Sequence, residues 1–351
     1  MPLPDLLRDL LTAAGPPGHE EAPVTVWRDA AAGFASVTTD AMGTPAALVD
    51  GTGDGPLLLI SGHIDEIALL VSHIDEKGFL KAVSSGGWDP QILVGQRVEV
   101  LTKAGPVPGV GRKPTHLLED EERNRAVQLK DLHVDIGVAD RDQARKTVAI
   151  GDPLVIDAQP VELPNGRLTS RSLDNRLGAY VALEVVRLVA EAGGAHGPVA
   201  AVGAVQEEIG AYGARAAAFG LEPGVAIAVD VTHATDAPGV EPGRTGEHAL
   251  GDGPVIGRGP VLNPRVTELL QEAAGAAGIE YTMEAAGRGT WTDADELHWS
   301  RSGVPTGGVW IPLRYMHSPV ELVQLSDVEA TAKLIAAFAM RLGPDTSLAR
   351  W

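Results

Sequence analysis

The sequence predicts an α/β fold in which a parallel sheet carries the chemistry and a β-rich block interrupts it. Three observations point there. Apolar runs at 57–60, 199–205 and 225–229 lead within three residues to His, Asp or Glu, as buried parallel strands do when they present side chains at their carboxyl ends. Long amphipathic helical periods recur at 171–191 and 327–342. Between the first run and the first of these helices, residues 73–166 offer only short strand-like pieces separated by Gly-rich turns and one charged run.

A chain of 351 residues exceeds what one hydrophobic core usually supports. The expected division is a catalytic domain made of residues 1–70 and 167–351, with 71–166 inserted as a β-rich domain. Composition excludes several classes. The chain has no cysteine, so disulfides, thiolate metal sites and a Cys nucleophile are all ruled out, and any metal must be held by His and carboxylates. A net charge of -19 argues against nucleic acid, whose phosphates it would repel, and reads as a device for solubility. There is no apolar run of about eighteen residues to span a membrane. The opening residues mix Asp5, Arg8 and Asp9 into an amphipathic pattern unlike a secretory leader, so the expected location is the cytoplasm.

In chain order, residues 4–14 and 19–32 read as helices broken at Gly15 and Gly18, and 36–51 as a hairpin turning at Met42 and Gly43. The stretch LLLISGHIDEIALLV follows. On an extended chain His63 and Asp65 project to the same side, so Asp65 can orient the imidazole. Within 73–166, the pieces FLKAV, QRVEVLT, HVDIGV and DPLVID read as strands, and the charged run 119–131 as a solvated loop or edge. Helix 171–191 opens on Asp174, Asn175 and Arg176, where an acid serves as a cap or a ligand.

Strand 199–205 ends in Gln206, Glu207 and Glu208. Two adjacent acids at the mouth of a buried strand are costly unless a cation accompanies them. Strand 225–229 delivers Asp230, and a strand within 303–317 is expected to end at His317, between helices 263–277 and 327–342. The collected set is His63, Asp174, Glu208, Asp230 and His317, with Asp65 and Glu207 beside two of them. Two imidazoles and three carboxylates can hold two divalent ions if one carboxylate bridges. Such donors suit zinc, cobalt or manganese better than calcium, and a co-catalytic pair of ions is a known hydrolytic device.

The strings GHIDEI, LDNR, VQEEIGAYGA, AVDVTHATDAPG, GTWTDAD and RYMHSPVE, in that order over residues 6–337, resemble the tetrahedral, TET-type metalloaminopeptidases, which include glutamyl, leucyl and deblocking aminopeptidases. The resemblance implies a zinc-peptidase-like three-layer α/β catalytic domain interrupted by a small β-barrel used for dimer contacts, with dimers assembling to a dodecamer. It implies that His63, Asp174 and Asp230 hold one ion and that Asp174, Glu208 and His317 hold the other, Asp174 bridging. Asp65 would orient His63, and Glu207 would be the general base in hydrolysis of peptides with a free N-terminus. It also implies a cis peptide bond between Asp174 and Asn175. Ala68 and Leu69 depart from the family's usual Gly and Phe after the first motif, and His233 stands close behind Asp230, where it reads as a surface group or a neighbour of the ligands.

Three other classes remain to be separated from this one. A glycoside hydrolase would use paired acids but needs neither histidine, and with 4% aromatic residues the chain offers few sugar platforms. A serine hydrolase lacks its G-x-S-x-G elbow, although Ser318 follows His317. A metal-binding scaffold without activity would have no use for Glu207 beside the ligands.

Overall fold

The computed structural model describes residues 2–111 and 115–350. Its strands fall into two sheets. In the larger one the central strands are Val199–Ala204, Leu58–His63, Val225–His233 and Thr306–Arg314, adjacent in that order and all parallel. Antiparallel strands extend both sides: Pro45–Val49 and Ser36–Thr39 beyond Val199–Ala204, and Glu321–Gln324, Arg167–Ser170 and Val161–Leu163 beyond Thr306–Arg314. Leu58–His63 is the point where chain order reverses, because the next parallel strand in sequence lies on one side of it and the one after that on the other. Doubly wound sheets bind ligands in the crevice that such a reversal opens at the carboxyl ends.

Alternation along these central strands feeds two separate cores. Ile60, Val199, Ile227 and Val229 face the larger one, which packs against helices Asp5–Thr12, Glu21–Ala31, Leu173–Glu191, Pro264–Ala277 and Leu325–Arg341. Leu59, Ala200, Ala226 and Ala228 face the smaller one, covered by helices Tyr212–Leu221 and Ala294–Leu297. Helices therefore cover both faces, giving three layers.

The sequence-derived elements mostly hold, with shorter ends. Helix 4–14 is Asp5–Thr12, and the hairpin has strands Ser36–Thr39 and Pro45–Val49. Asn263 caps Pro264–Ala277 by accepting from the N–H groups of Arg265 and Val266.

The smaller sheet runs Leu80–Ser85, Ala68–Ile74, Pro153–Ile156, Val98–Thr102, Gly105–Gly109, and encloses its own core around Leu69, Val71, Leu80, Val100 and Leu154. Of the four expected strand pieces here, HVDIGV forms none. It makes two isolated bridges, Leu80 with Val134 and Val110 with Asp135, so that it lies between the two edge strands and links them. A seven-residue helix, Arg141–Thr147, also stands where no helical period was expected. Asp140 caps it by accepting from Gln143 N–H, which shows that a good cap suffices where periodicity is too short to read. The charged run carries two short helical turns, Asp120–Arg123 and Leu129–Asp131, and an ion pair between Arg125 and Asp131.

Candidate functional site

Strand ends and one turn bring the expected residues together at the reversal point. His63 is the last residue of its strand and only 1% exposed. Its Nδ1 lies 3.4 Å from Asp65 Oδ1, and its Nε2 lies 3.1 Å from Asp174 Oδ1, 3.6 Å from Glu207 and 4.0 Å from Asp230. Asp65 does more than face the imidazole. Its two oxygens accept the backbone N–H groups of Glu207 (3.0 Å) and Glu208 (3.1 Å), so one buried carboxylate fixes the first histidine and the turn that carries both acids.

Asp174 occupies the centre. Its second oxygen lies 3.3 Å from His317 Nε2, which is itself 3.7 Å from Glu208. The bond from Asp174 to Asn175 is cis. Asn175 then turns away, donating to Val229 O and accepting from Gly178 N–H, which ties the helix start to strand Val225–His233. Asp230 lies within that strand, which continues to His233 instead of ending at Val229.

His317 was expected to end a strand, and it does not. Thr306–Arg314 stops three residues earlier, and Tyr315 and His317 both have left-handed backbones, with φ of 62° and 59°. A turn is required because the chain must reverse into Glu321–Gln324. Glu321 holds it by accepting from His317 N–H (2.8 Å) with one oxygen and from Asp174 N–H (3.1 Å) with the other. The sequence reading missed Glu321, whose signal is a lone acid opening a buried strand. It also missed Asp293, which accepts from the Ser61 hydroxyl at 2.6 Å beneath His63, and the buried cluster of Glu66 with Arg171 and Arg176. His233 is exposed on the cavity rim and belongs to neither donor group.

The electrostatics of this cluster are those of anions short of a cation. Burial raises Glu207 well above the usual carboxylate range, against the pull of His63, and Asp230 and Asp293 add to the rise. Glu208 is raised by burial and then by Asp174, and Asp230 by burial and by Asp174. Burial lifts Asp293 to about 6. For Asp174, burial is outweighed by the hydrogen bonds from His317 and His63, which hold it well below the ordinary range. Burial lowers His63, but the surrounding Glu207, Asp174, Asp65 and Asp230 outweigh it and keep its imidazole well above normal.

Donor chemistry fits a metal. His63, Asp174 and Asp230 each offer one ligand atom within 4.8 Å of the others, and so do Asp174, Glu208 and His317. Glu208 Oε1 is buried with no hydrogen-bond partner among the described residues, a state that a cation would relieve. The whole cluster opens into a cavity of about 540 Å³.

A three-layer α/β sheet that converges such donors on a cleft at its strand ends belongs to the class of peptidase folds built around divalent-metal donor sets. The model of the M42 glutamyl aminopeptidase family matches residues 43–334, and the chain belongs to that family; it is an aminopeptidase. It is 33% identical over 350 residues to the lysyl aminopeptidase of Pyrococcus furiosus, covering 97% of both chains. The TET aminopeptidase of a marine sediment thaumarchaeote has the same fold, with a TM-score of 0.92 at 32% identity over 97% of this chain and 96% of that one. The TET1 peptidase of Pyrococcus horikoshii, which assembles into a tetrahedron or a large octahedral shell, gives 0.85 at 30% identity over 96% and 99%.

Proposed function

We propose that this aminopeptidase holds two divalent ions, zinc, cobalt or manganese, and removes the first residue of peptides with a free N-terminus. The observation that carries the proposal is the pair of three-residue donor groups that share Asp174. His63, Asp174 and Asp230 hold one ion, and Asp174, Glu208 and His317 the other. When bound, such ions supply Lewis acidity, lowering the pKa of water and stabilising developing negative charge.

Glu207 is the general base. It stands 3.6 Å from His63, belongs to neither donor group, and lines the cavity. Its carboxylate takes a proton from the attacking water as oxygen adds to the first peptide carbonyl, and returns that proton to the leaving amine. Asp65 keeps Glu207 and His63 in register through the contacts already described. A glycosidase reading is not favoured, because both imidazoles turn onto Asp174 and none of the acids stands apart to work on the far side of a sugar.

The inserted domain of this proposal, read from sequence as 71–166, is the small sheet whose strands run from Ala68 to Ile156, since Val161–Leu163 already pairs in the larger sheet; it makes the contacts of a dimer, and dimers build a dodecameric shell. Its support is a small sheet with its own core and the assembly of the related Pyrococcus horikoshii peptidase. The function is tested with aminoacyl anilides. Hydrolysis should stop on chelation and return with added zinc, cobalt or manganese, and hydrolysis unaffected by a strong chelator would refute it.

A further inference from the structure

The break between the first two helices reaches the site. Gly15 pairs both of its backbone groups with Glu66, its N–H donating to Oε1 at 3.0 Å and its carbonyl accepting from Glu66 N–H at 3.1 Å. Space is short there, since a Cβ on Gly15 would meet Pro23 and Arg176. Gly18 then takes a left-handed backbone, with φ of 80°, and the chain enters helix Glu21–Ala31 through Glu20.

An acid at that position ordinarily accepts from the free N–H groups of its own helix. Glu20 does not. Its side chain is buried, and one oxygen, Oε1, accepts from Gly18 N–H at 2.7 Å and from Gln206 N–H at 3.1 Å, 186 residues further along the chain. Gln206 is where an anchor counts. It follows strand Val199–Ala204 by two residues and has φ of 57°, a left-handed conformation that crowds an L side chain. Asp65 takes the next two N–H groups, those of Glu207 and Glu208. Three consecutive amides of one turn therefore each donate to a buried carboxylate, and the first of these bonds comes from the helix break.

We propose that Glu20 is a positioning residue for catalysis, holding Gln206 in its left-handed conformation so that the Glu207 carboxylate faces the cavity beside His63. The proposal rests on the reading of Glu207 as the general base. Glu20 does not line the cavity and stands in neither donor group, so its effect travels through the backbone of the turn. That effect falls on Glu207 more than on Glu208. Glu207 is the nearer to Gln206 and belongs to no donor group, whereas Glu208 shares one with Asp174 and His317.

The test is a double-mutant cycle on aminoacyl anilide hydrolysis, using protein supplied with metal and counting the bound metal in every variant. Glu20→Ala should lower kcat about tenfold, with KM within about twofold of the wild type and metal content unchanged. In Glu207→Gln protein the same change should cost less than about twofold, because the group that Glu20 positions is gone. A merely structural role would lower kcat by the same factor in both backgrounds. That result overturns the proposal alone, as does an unchanged kcat in Glu20→Ala, or a loss of metal there, which would place the effect on the donor groups. Should the alanine variant fail to fold, Glu20→Gln and Glu20→Asp carry the test. The amide keeps an acceptor at the same reach and should retain most of kcat, while aspartate withdraws its acceptor by one methylene and should not. Equal kcat in these two variants overturns the proposal. A Glu207→Gln protein with wild-type kcat overturns the base reading, and this proposal with it.

Discussion

Glu207 and Glu208 are neighbours in sequence, both are deeply buried, and both are raised by burial, yet the geometry gives them different partners. Glu208 shares a donor group with Asp174 and His317, whereas Glu207 belongs to none. Glu208→Ala should therefore lose metal at one site, while Glu207→Gln should keep its full complement and lose kcat by about 10²-fold or more with KM little changed. Elemental analysis beside steady-state kinetics checks this. Depleted Glu207→Gln with fully loaded Glu208→Ala would exchange the two roles.

At this scale the sequence was informative where strands end in acids or imidazoles, because an apolar run stopping at His63 or Glu207 is visible without any partner. It was silent on Glu321 and Asp293. Their importance lies in contacts to Asp174 N–H, His317 N–H and the Ser61 hydroxyl, formed across separations of 147, 4 and 232 residues, and no local pattern records the two long ones.

Between elements, the site depends on how closely helix Leu173–Glu191 approaches the sheet. Gly62 and Gly178 face each other there, and a Cβ on Gly62 would overlap the backbone of Gly178 and Ala179. Gly62→Ala should push the start of that helix, with Asp174, away from His63. A loss of about 2–3 kcal/mol in stability is expected, with weakened metal affinity, by denaturant unfolding and metal competition. Unchanged stability and metal affinity would mean that the two elements tolerate separation.

Helix Leu325–Arg341 provides a pH test away from the site. Asp327, in its first turn, accepts from the N–H groups of Gly251 (2.8 Å) and Gly253 (3.2 Å), and burial raises its carboxyl to about 6. A native carboxyl above its unfolded value of about 4 binds its proton more readily in the folded state. The contribution of this group to stability therefore falls as pH rises from about 4 to about 6, and is level above that. Asp327→Asn should remove this part of the slope in a plot of Tm against pH, with a lower Tm overall because one glycine N–H loses its acceptor. A slope identical to that of the wild type would contradict the assignment.

Element boundaries were legible where caps and breaks are local, as at Asn263. The turn at His317 was not, since the strand pattern runs on through RYMH and only the need to reverse into Glu321–Gln324 stops it. Segment HVDIGV reads as a strand by composition, and pairing decided otherwise: it meets its neighbours at one residue each.

For the molecule as a whole, the reversal of strand order at Leu58–His63 explains why residues so far apart in sequence meet in one cleft. The composition of the chain foretold a large α/β protein without thiol chemistry, and order along the chain foretold an inserted sheet. Whether apolar residues of that sheet serve a subunit contact or a core is not written in one chain's pattern, since the two look alike in sequence. Light scattering at micromolar concentration should give a mass many times the 36.5 kDa of one chain, and a mass near that of one chain would remove the proposed shell. Among the described residues no helix is long and apolar enough to cross a membrane.

The central claim is that two ions share Asp174 and that both are needed. Its most direct test is to strip the protein with a chelator, return zinc, cobalt or manganese in measured steps, and follow peptide hydrolysis beside bound metal. The account predicts two ions bound per chain and full activity only as the second is filled. Full activity at one ion per chain, or binding that saturates at one, would contradict it.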